Sequence, residues 1–214
     1  MKLLLSGVSG LAGGVCLLFQ SVAFAMTHGS TTVNRNEAWL GIDAVDFGKL
    51  LFIAPLLFFF SLLGYEESFA KVGKIGRFGL RLAQASCLLQ SVSFVLQTSV
   101  VDPLTEWRSP IVIGGWLLFL LTVVLFSVGM SVSGAALAFR RTPTRTEGML
   151  FLAIGLCTFA AQMAELWISR QSDGSLMWEI AIAAKNFPAG LSWIALSVMT
   201  LSASRNLFSP LNRL

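Results

Sequence analysis

Residues 109–139 read SPIVIGGWLLFLLTVVLFSVGMSVSGAALAF, a run without one charged side chain. A stretch of roughly 18 or more apolar residues is long enough to cross the ~30 Å hydrocarbon core of a bilayer as a helix. The pattern recurs on either side of it, with no charge at residues 82–101 or 186–204. The composition agrees. Hydrophobic residues make up 55% of the 214, charged residues 12%, and the mean hydropathy is +0.76. An ordinary soluble domain carries about 25% charge. With so few polar groups the chain cannot cover a soluble surface. A soluble enzyme, a nucleic-acid binder and a disordered chain are therefore excluded, and the positive net charge of +4 needs no nucleic-acid partner.

The sequence predicts an all-α polytopic membrane protein, a single domain over 1–214 made of a bundle of six transmembrane helices. Their spans are about 3–25, 45–65, 78–101, 111–139, 148–169 and 178–203. Open strands would leave backbone groups unpaired in lipid, and the runs lack the ~10-residue alternation of a membrane barrel.

Orientation follows from the cations. Lys2, Lys71, Lys74, Arg77, Arg81, Arg140, Arg141, Arg145, Arg205 and Arg213 map to one side of six spans. Arg35, Arg108 and Arg170 map to the other, while Lys49 and Lys185 fall within helices. Cytoplasmic loops are enriched in Lys and Arg, so both termini are expected in the cytoplasm, in a plasma or inner membrane. Trp39, Trp107, Trp116, Trp167 and Trp178 share the outer side, where indole rings favour the headgroup level.

The first span has a second reading. Ala23-Phe24-Ala25 resembles a signal-peptide cleavage site, and cleavage would leave five helices. Its apolar run is longer than the ~7–15 residues of a signal core. Ser6, Gly10 and Gly14 also form a small-residue ridge of the kind that lets helices approach closely. Retention is the favoured expectation.

Little in the chain points to catalysis. The one histidine, His28, lies in the first outer loop, and Cys16, Cys87 and Cys157 all lie in apolar runs without a C-x-x-C spacing. The cysteines are expected to be small buried hydrophobes. There is no zincin, Walker or dinucleotide-binding pattern. No enzyme activity, cofactor, metal or catalytic residue is predicted.

Polar groups inside the helices remain. Ser86, Gln90, Ser93 and Gln97 form one stripe on the third span, and Thr158, Gln162 and Glu165 form one on the fifth. Lys185, Ala189 and Ser192 share a face of the sixth. Because polar groups are costly in lipid, these stripes should face the bundle or a wet cavity. Glu165 and Lys185 are expected to pair near Gln97 and Gln162. The candidate cluster is thus Gln90, Gln97, Gln162, Glu165, Lys185 and Ser192. Ser127, Gly129, Ser131 and Ser133 make a close-packing surface on the fourth span, facing either this bundle or another subunit. Phe58-Phe59-Phe60 is expected to face lipid.

Two functions fit this pattern. The first is a non-enzymatic accessory or interaction subunit of a membrane complex, meeting the lipid bilayer and a membrane-protein partner, or itself, through small-residue faces. The second is a small solute or ion transporter, or a solute-binding bundle, using the outward-facing polar cluster.

Overall fold

The computed structural model describes residues 2–26, 38–39, 42–43, 53–98, 109–139, 145–169 and 187–208. Apart from one short antiparallel pair, every described element is a helix. In the pair β1 (Ala38–Trp39) runs against β2 (Ile42–Asp43), with Ala38 opposite Asp43 and Trp39 opposite Ile42. The helices are α1 (Lys2–Met26), α2 (Ile53–Leu63), α3 (Glu66–Val72), α4 (Lys74–Thr98), α5 (Pro110–Ala138), α6 (Arg145–Ser169) and α7 (Phe187–Phe208).

Five of these helices are long and apolar enough to cross a membrane: α1, α4, α5, α6 and α7. Among the described residues a sixth candidate span exists if α2 and α3, bent 55° from each other, count as one. Of the span expected at 45–65, residues 53–63 form α2 and 45–52 lie outside the described residues. The charged stretch after it, read from sequence as a connection, instead forms α3. Helix α4 also starts earlier than the apolar run, at Lys74. Helix geometry tolerates charge wherever the side chain reaches water, so hydropathy marks only the apolar part of a helix.

Helices α1, α2, α4, α5, α6 and α7 follow chain order around a closed ring. Each packs on the next, and α7 packs back on α1. Helix α3 folds against α4 at one end. That end also holds the start of α1, the end of α5, the start of α6 and the end of α7, and we call it the basic end.

The bend has a local cause. Gly64 N–H donates to Ser61 O and Tyr65 N–H to Leu62 O, the tight i→i+3 pattern that closes a helix. The Ser61 carbonyl, freed from the helical ladder, also accepts from Ser6 Oγ of α1 at 2.5 Å. A side chain at position 64 would collide with Ser6, which is why glycine stands there. The corner between α3 and α4 turns on Gly73, whose φ of 118° belongs to a region that side-chain-bearing residues rarely enter.

The interior of the ring is filled by aromatic side chains. Phe58 stacks on Trp193 with ring centroids 4.4 Å apart. Phe151 meets Tyr65 at 5.0 Å and Phe69 at 5.4 Å, both edge to face. Leu62, Leu80, Met130, Ile154 and Leu196 close the space between them. Phe58 therefore corrects the expectation that Phe58-Phe59-Phe60 faces outward. It is buried, Phe59 is half-buried, and only Phe60 is exposed. The three phenylalanines point in successive directions about 100° apart, so a run of three cannot share one face.

Candidate functional site

The α4 stripe meets α5. Ser86 Oγ donates to Leu82 O and Ser93 Oγ to Gln90 O, each at 2.7 Å and each within α4. Gln97 Nε2 reaches across to Gly115 O on α5 at 3.3 Å. Gln90 is half-buried on the same side. On α6 Gln162 is buried, and Thr158 is half-buried. Ser192 Oγ returns its proton to Pro188 O of its own helix at 2.8 Å. The Glu165 side chain and the whole of Lys185 lie outside the described residues, and so does their expected pair. His28 lies outside them as well.

The small residues lie between helices of this chain. A methyl carbon added at Gly10 would stand 2.5 Å from Ser61 Oγ, with Ser197 Oγ also against it. One at Gly14 would stand 2.9 Å from Ile194 Cγ1 and 3.0 Å from Gly190 O. Thus Ser6 and Gly10 meet α2, while Gly10 and Gly14 meet α7. On α5, Gly129 abuts Ala83 and Gly79 of α4, and Ser133 Oγ donates to Gly76 O at 3.2 Å. Ser127 and Ser131 lie on the other side of α5, against Gly155 of α6.

Two polar residues outside the sequence-derived candidates, Tyr65 and Gln84, also stand out in the structure. Tyr65, the single tyrosine of the chain, is buried at the α2–α3 break, and its hydroxyl pairs with Thr200 Oγ1 of α7 at 2.5 Å. Gln84 on α4 is 7% exposed, and its Nε2 has no hydrogen-bond partner among the described residues. Ser127 Oγ, on the close-packing surface of α5, is likewise buried without one among the described residues. A lone tyrosine beside a glycine was a usable signal. Gln84 had one too, since it shares a helix face with Leu80, Cys87 and Ser91 rather than with the Ser86 stripe.

The chain matches no family model, no curated protein and no solved structure.

Chemically, the described polar side chains offer hydroxyls and carboxamides, which orient by hydrogen bonding. No group of three or more His, Cys, Asp or Glu side chains that could hold a metal ion is formed among the described residues. The cysteines differ in setting. Cys87 is buried and Cys157 half-buried, but Cys16 is exposed on the outer face of α1, contrary to the expectation of three buried thiols. Its neighbours Gly13 and Gly14 occupy the packed face, which turns position 16 away from the bundle.

Proposed function

We propose that this chain is a six-span integral membrane protein with both termini in the cytoplasm, and that it acts as a non-enzymatic accessory subunit of a membrane complex. The observation that carries the second part is the filled axis of the ring. Among the described residues Phe58 and Trp193, then Tyr65, Phe151 and Phe69, pack on one another between the helices, which speaks against an open solute path there. The small-residue ridges meet partners within the chain, so another subunit would meet the outward apolar faces instead. Helix α5 offers one: Leu117, Leu121 and Val128 are exposed, and Gly114 has open space around it.

Membrane integration is tested by alkaline carbonate extraction, which should leave the chain in the membrane pellet. Topology is tested with single cysteines in a cysteine-free background. Those placed at Lys71 or Arg141 should resist a membrane-impermeant thiol reagent in intact cells, and those near Arg35 or Trp107 should react. Reaction at either basic site overturns the orientation. The accessory role predicts a native particle in mild detergent with a second polypeptide at fixed stoichiometry. A lone monomer or homodimer counts against it.

The transporter or solute-binding reading keeps one specific support. The partnerless Gln84 Nε2 and Ser127 Oγ are groups that a bound solute or water would satisfy. Under the accessory reading, Gln84→Leu replaces an unsatisfied amide by a well-fitting apolar group and should leave stability unchanged or raised. Loss of uptake or ligand binding in that variant favours the solute reading.

A further inference from the structure

One outward stripe of α4 is divided sharply by charge. Lys74, Arg77 and Arg81 are all exposed on it, spaced three and four residues apart. The same stripe continues as Leu88, Val92 and Val95, also exposed. Ile75 and Phe78 flank the cations at 72% and 66% exposure. Large apolar side chains this open beside cations suit the boundary between headgroups and acyl chains.

The local fold does not account for the cations. Lys74 and Arg77 lie in the first turn of α4, at the positive end of the helix dipole, and no acidic residue stands there to offset them. None of the three forms an ion pair among the described residues. Arg77 Nη2 donates to Ala70 O at 3.2 Å, which fixes α3 against α4 and leaves the rest of the guanidinium outward. Topology alone would accept these charges anywhere in the connection. Here they are aligned on the helix face that carries the apolar stripe.

We infer that this face binds an anionic phospholipid of the bilayer, with its phosphate held by Lys74, Arg77 and Arg81 and an acyl chain along Leu88 and Val92. The inference rests on the membrane reading above. The dimensions agree. At about 1.5 Å per residue, Arg81 to Val92 spans about 17 Å, close to the ~15 Å of one leaflet's hydrocarbon. Guanidinium groups bind phosphate oxygens through paired N–H donors, and an exposed lysine adds a point charge.

The test uses the full chain, first shown by carbonate extraction to be integral. Failure at that step removes the membrane reading itself, separately from the lipid site. The integral protein is then reconstituted with mixed phosphatidylglycerol and phosphatidylcholine, and retained lipids are counted by native mass spectrometry. The wild type should retain phosphatidylglycerol in preference. Each cation removed should weaken retention about fivefold, so Lys74→Gln/Arg81→Gln should lose about 25-fold. That variant spares the Arg77–Ala70 contact, and its melting temperature is recorded to show that it is folded. Arg145→Gln removes an exposed cation at the same end but off the stripe, and should keep the preference. Equal retention of the two lipids by the wild type overturns the site. So does a loss in Arg145→Gln as large as that in the double variant, which would mean diffuse attraction to the basic end.

Discussion

Two seams of the ring use glycine in different ways. Along α4, α5 and α6, glycines lie against main-chain atoms. A methyl carbon at Gly129 would stand 2.7 Å from both Ala83 N and Gly79 O. One at Gly134 would stand 2.7 Å from Gly148 O, and one at Gly155 2.7 Å from Ser127 O. Along α1, which crosses α2 and α7, most glycines lie against side-chain ends. Gly7 meets Leu201 Cγ and Cδ2, and Gly13 meets Phe58 Cε1. A backbone cannot retreat without moving its helix, whereas a leucine rotates. The first seam is therefore a rigid three-helix unit, and the second an adaptable one in which the other three ring helices, α1, α2 and α7, are joined mostly by side chains. Identical small residues in the sequence thus carry different structural weight.

The largest effect should come from Gly134→Ala or Gly129→Ala. Overpacking a well-filled contact costs about 1–3 kcal/mol and sometimes more. With main chain on the receiving side, about 3 kcal/mol or greater is expected, seen as a large fall in melting temperature in detergent. A loss below about 1 kcal/mol would break the distinction between the seams. Next comes the corner that folds α3 onto the rigid unit. Gly73→Ala forces a side chain into a backbone region that costs about 1–3 kcal/mol, and should lower the melting temperature without altering the helix content measured by circular dichroism. Tyr65 ties the seams together, since it bonds Thr200 of α7 and packs on Phe151 of α6. Tyr65→Phe removes one hydrogen bond, about 1 kcal/mol. Thr200 Oγ1 keeps its own bond to Leu196 O, so no hydroxyl is stranded. A loss well above that size would mean that the hydroxyl does more than pair. The smallest effect is expected from Gly7→Ala. Leu201 must rotate, but alanine gains up to about 1 kcal/mol of helix propensity over glycine, so the net should lie near zero. A fall matching that of Gly134→Ala would show that the α1 seam is equally rigid.

The apolar helices are legible in the sequence, because a charge-free run such as 109–139 has few ways to satisfy its backbone except as a helix. The Ser6, Gly10 and Gly14 spacing marked a packing face, but not its neighbours. The α2–α3 break is not legible in the sequence, since part of what holds its local turn, the Ser6 hydroxyl on the freed Ser61 carbonyl, comes from another helix. The burial of Phe58 is not legible, because a run of three like residues carries no face until a partner, here Trp193, selects one. Gln84 does not stand out by composition, because burial, and not polarity, makes an amide costly.

Composition and charge spacing by themselves determined the all-helical architecture and the expectation of a basic end, since both depend only on how side chains partition between apolar and aqueous surroundings. Only the tertiary structure decided the closed ring, the aromatic filling of its axis and the partner of each small-residue face. These depend on contacts between residues far apart in the chain, whose distances no local pattern encodes.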